Sequence, residues 1–256
     1  MNTERMLALT LRRQRLVERS GYNIWEAAET PATWPAARTA LVLCDVWDRH
    51  TCRGAEARLA RLLPRMEQVA RRIRDLGGLV VHAPSDTMRF YAGAPARLRA
   101  LEASPVEPPP NLAHEDPRLP LDAADPCDTC PDEEHPRWER GMPVPWTRQH
   151  AAIEIDQERD VISDNGRELY SVYQSRGIEH VLEMGVHTNM CILNRSFSIK
   201  QMVRWGMQPV LIRDLTDALY NPADPPYVSH DEGTALVVGF IEKHWCPTVS
   251  SDQLLG

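Results

Sequence analysis

The sequence predicts an α/β fold with one mostly parallel sheet wrapped by helices on both faces. Two observations carry that expectation. Short continuous apolar runs alternate with helical segments of 10 to 20 residues, and one such run ends abruptly in a carboxylate, as buried parallel strands do at their active edge. A third feature is a long surface insertion at about 104–147, which holds 11 of the 21 prolines and has no apolar period. Residues 1–38 read as an irregular, partly helical N-terminal lead-in containing Trp25 and Trp34. Residues 39–256 read as a single domain. Its first strand is the run at 40–45, ending in Asp45. Helical spacing of Leu59, Leu62, Leu63, Met66, Val69 and Ile73 gives a helix over 55–76 that Gly77 and Gly78 stop. The run at 79–82 is the next strand, closing on His82. After the insertion come a helix at about 165–175, a strand at 180–184, a tight turn at 185–189, a helix at 190–205, a strand at 209–213 and a last helix near 233–244.

With 256 residues and a formal net charge of −7, the chain can bury a substantial core. No run approaches the roughly 18 apolar residues of a membrane span, and residues 1–19 mix arginine with glutamate where a signal peptide would be apolar. A soluble, cytoplasmic protein without membrane attachment is expected. The acidic balance argues against a nucleic-acid surface. Of the 29 basic residues, 27 are arginine; the two lysines are Lys200 and Lys243. Six cysteines are too few for a disulfide scaffold in a chain of this size. Cys127 and Cys130, with His135 behind them, have the spacing of a zinc half-site or a local disulfide, but no second pair completes a zinc knuckle.

Ligand sites of parallel sheets lie at the carboxyl ends of the strands, which directs attention to residues 45–50, 82–86 and 185–191. Cys191 follows a strand and a glycine-led turn and opens a helix, where free backbone N–H groups and the helix dipole favour a thiolate nucleophile. Cysteine is also among the most buried residue types, so packing explains the position equally well. Asp45 tilts the balance, because a buried carboxylate brought beside a thiol can accept its proton.

The segment from Ala40 through Asp45 to Asp48 resembles the first strand and catalytic aspartate of the isochorismatase-like cysteine hydrolases, the family that includes nicotinamidases. Gly185, Val186, His187, Thr188, Asn189, Met190 and Cys191 resemble its nucleophile turn, and Arg213 and Asp214 fall at the matching end of the following strand. The resemblance covers roughly residues 40–83 and 160–218. It implies a three-layer α/β/α sandwich around a six-stranded parallel sheet, so that 39–256 form one isochorismatase-like hydrolase domain. It also implies Cys191 and Asp45 as catalytic residues, an oxyanion hole at the N–H groups of Cys191 and His187, a cis peptide between Val186 and His187, and a homo-oligomer.

The chain departs from that pattern at the third catalytic group. The family's lysine lies before the nucleophile block, and both lysines here follow Cys191. Arg148, His150 and Arg159 are the cations of the corresponding stretch; an arginine there can stabilise charge but not shuttle a proton, whereas a histidine can do both. Trp47, where the family commonly has glutamine, and Asn189 and His187 are candidate substrate contacts. His50, His82 and Asp86 form a candidate three-ligand site for a divalent metal such as zinc, although no cofactor is required by the cysteine chemistry. The expected function is cysteine-dependent hydrolysis of a small amide-type C–N bond through a thioester. The alternatives are a metal-dependent hydrolase using His50, His82 and Asp86, and an inactive relative serving in binding or assembly.

Overall fold

The computed structural model describes residues 5–123, 128 and 144–256, so Cys127, Cys130 and His135 lie outside the described residues. The lead-in is not irregular. It forms an antiparallel hairpin of β1 (Met6–Arg19) and β2 (Tyr22–Pro35). Arg19 pairs with Tyr22, leaving Ser20 and Gly21 as a two-residue turn with φ of 52° and 83°. Positive φ at both positions is the turn whose twist matches paired strands. Leu7 and Leu9 point inward at period two while most of the hairpin stays exposed, so the periodic signal is short and gives way to the arginine-rich second half of β1.

The remaining elements are β3 (Thr39–Cys44), α1 (Arg53–Asp75), β4 (Leu79–Ala83), α2 (Pro95–Leu101), β5 (Val161–Ile162), α3 (Gly166–Arg176), β6 (His180–Val186), α4 (Cys191–Asn194), α5 (Ile199–Arg204), β7 (Pro209–Asp217), α6 (His230–His244), β8 (Thr248–Val249) and α7 (Asp252–Leu255). One sheet runs β2-β1-β8-β7-β6-β3-β4-β5. Its six strands from β8 to β5 are parallel, and the hairpin is added through the antiparallel β1–β8 pair at Arg12 and Thr248. The six-stranded parallel sheet thus sits within an eight-stranded mixed one.

Along β3, Ala40, Val42 and Cys44 face the core under α3, α5 and α6, while Leu41 and Leu43 face the core under α1. Both faces are covered, which is why the strand reads as an unbroken apolar run. From β3 the chain order moves outward through β4 and β5, and on the other side through β6 and β7. The junction between β3 and β6 is therefore the topological switch point, the crevice where such sheets bind ligands.

The single helix expected over 190–205 is broken into α4 and α5, with Arg195 extended at φ −63° and ψ 154°. Close contact with α3 holds the break: the Gly166 N–H donates to Ser196 Oγ at 3.0 Å, and a Cβ at 166 would lie 1.8 Å from the Ser196 carbonyl oxygen. Residues 104–119 of the insertion have no regular structure. Among the described residues, no helix is long and apolar enough to cross a membrane.

Candidate active site

Asp45 follows the last residue of β3 with φ of +50°, a conformation that aspartate tolerates better than most residues and that clusters at functional sites. Its carboxylate is fully buried. Oδ1 accepts the Ser85 N–H at 2.7 Å, Oδ2 accepts Arg195 Nε at 2.9 Å, and the Cys191 thiol donates to the same group. Burial raises the Asp45 pKa, and the Arg195 charge with the hydrogen bonds from Cys191 and Ser85 holds it down in part.

The other half of the site comes from β6. Gly185 has φ of +128°, and a Cβ there would meet the Cys44 carbonyl oxygen at 2.0 Å, so only glycine lets β6 leave the sheet this close to β3. The Val186–His187 peptide is cis, as the resemblance implies. The turn is fastened by the Thr188 N–H to the Asp217 carbonyl (2.9 Å), the Ile192 N–H to the His187 carbonyl (3.2 Å), and the hydroxyl pair Thr188–Thr216 (2.7 Å). Cys191 then opens α4.

The thiolate expected from a helix N-terminus is not favoured here. α4 is one turn long, too short for an appreciable dipole. Burial pushes the Cys191 thiol well up and the Asp45 charge pushes it further, against Arg195 and the His187 N–H. The resting pair is a thiol donating to a carboxylate.

Neither Arg148 nor His150 supplies the cation. Arg148 is exposed, with Nε 3.9 Å from Asp48 and its guanidinium over the Phe90 ring. His150 Nδ1 accepts the Ala152 N–H, and Arg159 pairs with Asp156. The charge at Asp45 belongs to Arg195, which also approaches Asp86 at 3.5 Å and lies over Trp47. Burial works against this guanidinium, but Asp45 outweighs it and keeps Arg195 protonated. Its signal in the sequence is its spacing: Arg195 follows Cys191 by four, one helical turn along the same face.

The proposed metal ligands are not brought together. His82 is completely buried, with Nδ1 bonded to Gln149 and Nε2 to Asp160, whose carboxylate also binds Arg74 through two bonds. Both ring nitrogens are thus used in holding the sheet edge to residues 149–160. His50 instead faces His187, Nε2 to Nε2 at 3.3 Å, and Asp86 is exposed beside Arg195. Among the described residues no group of three His, Cys, Asp or Glu side chains could hold a metal. Burial and the nearby Arg58 charge lower the His50 pKa to about 4, leaving a neutral imidazole.

Trp47 is buried, stacks on Trp146 at 4.1 Å and donates from Nε1 to the Ser85 carbonyl at 3.0 Å. It links the Asp45 loop to the end of the insertion. Asn189, a candidate substrate contact, is otherwise engaged. Its amide donates to the Leu219 carbonyl and accepts the Leu219 N–H, both at 2.9 Å.

Among solved structures, a cysteine hydrolase from Pseudomonas syringae pv. phaseolicola superposes with a TM-score of 0.52 at 16% identity, covering 87% of this chain and 93% of the other. An isochorismatase from Pseudomonas putida gives 0.51 at 8% identity, with 85% and 90% covered. The chain has the isochorismatase-like fold. Comparison with models of known families gave no match, and comparison with curated proteins gave none. On this isochorismatase-like frame, Asp45 and Cys191 stand beyond the ends of adjacent strands, and the cation that meets them is Arg195, the residue just past the nucleophile's short helix.

Proposed function

We propose that the protein is a hydrolase of a small amide-type C–N bond, with Cys191 as nucleophile and Asp45 as general base. The observation that carries the reading is the buried Asp45 carboxylate, shared by the Cys191 thiol and the Arg195 guanidinium at the switch point of the sheet. As Sγ attacks the substrate carbonyl, its proton passes to Asp45. The developing oxyanion is received by the N–H groups of Cys191 and His187. Collapse breaks the C–N bond, the amine or ammonia leaves with the proton from Asp45, and a thioester remains. Water, deprotonated by Asp45, then attacks the thioester; the acid departs and the thiol is restored.

Arg195 takes no part in proton transfer, because a guanidinium stays protonated. It keeps Asp45 ionised in a buried place, so that the base is charged when substrate arrives. Trp47 and Trp146 supply flat apolar surface near the reacting groups. The test is turnover of a panel of aryl amides and carbamoyl compounds by wild type and by Cys191→Ala. Hydrolysis of at least one compound is expected and is abolished in the variant. Undiminished turnover by Cys191→Ala removes the cysteine from the mechanism, and no turnover by either protein favours the inactive, binding or assembly reading.

A further inference from the structure

A second concave site brings four arginines together. A cleft of about 400 Å³ is walled by Arg12 of β1, Arg58 and Arg61 of α1 and Arg213 of β7, against the carboxylates Asp217 and Asp231. Arg58 is its centre. The side chain is 11% exposed, with Nε on both oxygens of Asp217 at 3.1 and 3.0 Å and Nη1 on Asp128 at 2.5 Å. Its Nη2 is buried with no hydrogen-bond partner among the described residues, and so is Nη1 of Arg213. Arg12 Nε, 3.3 Å from Glu242, also makes no hydrogen bond.

Buried N–H donors of a charged group are costly to leave unpaired, and native structures leave few of them so. Here three lie on arginines that line one cleft: Arg12 is paired with Glu242 and Arg58 with Asp217 and Asp128, yet each keeps an N–H without a hydrogen-bond partner among the described residues, as does Arg213. Guanidinium forks match the paired oxygens of carboxylates and phosphates. We propose that this cleft binds a small ligand through a carboxylate or phosphate group, with Arg58 and Arg213 donating to its oxygens and Arg61 adding charge at the exposed side. The site is distinct from the Asp45–Cys191 pair and does not depend on the reaction assigned to it. One wall is nevertheless continuous with the nucleophile turn, since the Asp217 that holds Arg58 accepts the Thr188 N–H through its backbone.

The experiment is isothermal titration of the full chain with inorganic phosphate and, separately, with citrate, in chloride buffer at constant ionic strength. Saturable binding of one ligand per chain is expected in at least one arm, and the arm that responds identifies the anionic group. The double variant Arg61→Gln/Arg213→Gln is expected to weaken that binding tenfold or more. Its fold is checked by Tm, since among the described residues the one hydrogen bond these side chains make is Arg61 Nε to the Ala57 carbonyl of its own helix. Cys191→Ala is expected to bind as wild type does. Absence of saturable binding in both arms overturns the proposal, as does binding that the double variant leaves intact, because the anion would then sit elsewhere.

Discussion

Replacing Arg195 with glutamine keeps much of the side chain's bulk and removes its charge. Two unit charges about 4 Å apart at an effective dielectric of about 20 attract by about 4 kcal/mol. The Arg195 side chain is 30% exposed, so water regains part of that interaction. A net loss of about 3 kcal/mol, the lower end for breaking one side of a buried pair, follows for ionised Asp45. Asp45 acts as a carboxylate and its pKa is already raised by burial; without Arg195 it rises further, and the acid limb of the pH–rate profile moves to higher pH. At 1.4 kcal/mol per factor of ten, kcat/KM below that limb falls about 100-fold. Activity returns as pH is raised, and Arg195→Lys, which keeps a charge, stays within about tenfold of wild type. The assay is kcat/KM from pH 5 to 9 on the amide that wild type turns over fastest. A glutamine variant with the wild-type profile would refute the assignment of Arg195 as the group that keeps Asp45 charged.

Three further outcomes follow from the same structure. Asp160, buried between Arg74 and His82, has its pKa lowered to about 2 because these partners outweigh the burial that would raise it. Its contribution of about 2 kcal/mol is present above the ordinary value near 4 and is lost as pH falls through about 2, which urea unfolding at pH 5, 3.5 and 2 will show as a falling midpoint. Gly185→Ala places a Cβ 2.0 Å from the Cys44 carbonyl oxygen and demands a left-handed φ of it; a loss of more than about 3 kcal/mol, or no folded protein, is expected, and a wild-type Tm would contradict the account of how β6 approaches β3. Iodoacetamide labelling of Cys191, followed by peptide mass spectrometry, should rise with pH beyond the region near 8.5 where free thiols ionise, because burial and Asp45 both favour the thiol. A reactivity plateau already reached at pH 6 would show a resting thiolate instead.

The parallel sheet was legible because its strands are covered on both faces and leave continuous apolar runs; Asp45 was legible because one run ends on it, and Cys191 because it opens the helix after the glycine-led turn that follows another. The hairpin was not, since along β1 only Leu7 and Leu9 are buried and the strand's second half, with Arg12, Arg13, Arg15, Glu18 and Arg19, has no apolar alternation. Apolar spacing suggested one helix over 190–205, but the break at Arg195 is imposed by contact with Gly166, a partner distant in sequence. His82 stood at a strand end like a ligand. Only its pairing with Gln149 and Asp160, which arrive after the insertion, shows it to be structural. The missing lysine led to Arg148 and His150 through their place in the chain, whereas proximity in space belongs to Arg195.

In the proposed reaction Cys191 carries the acyl group between two chemical steps. The direct measurement is peptide mass spectrometry of wild-type protein quenched in acid within milliseconds of mixing with an amide it hydrolyses. The peptide containing Cys191 is expected to gain the mass of the substrate's acyl group and to lose it as turnover ends. Turnover with that peptide unmodified at every quench time, together with hydrolysis undiminished in Cys191→Ala, would contradict it.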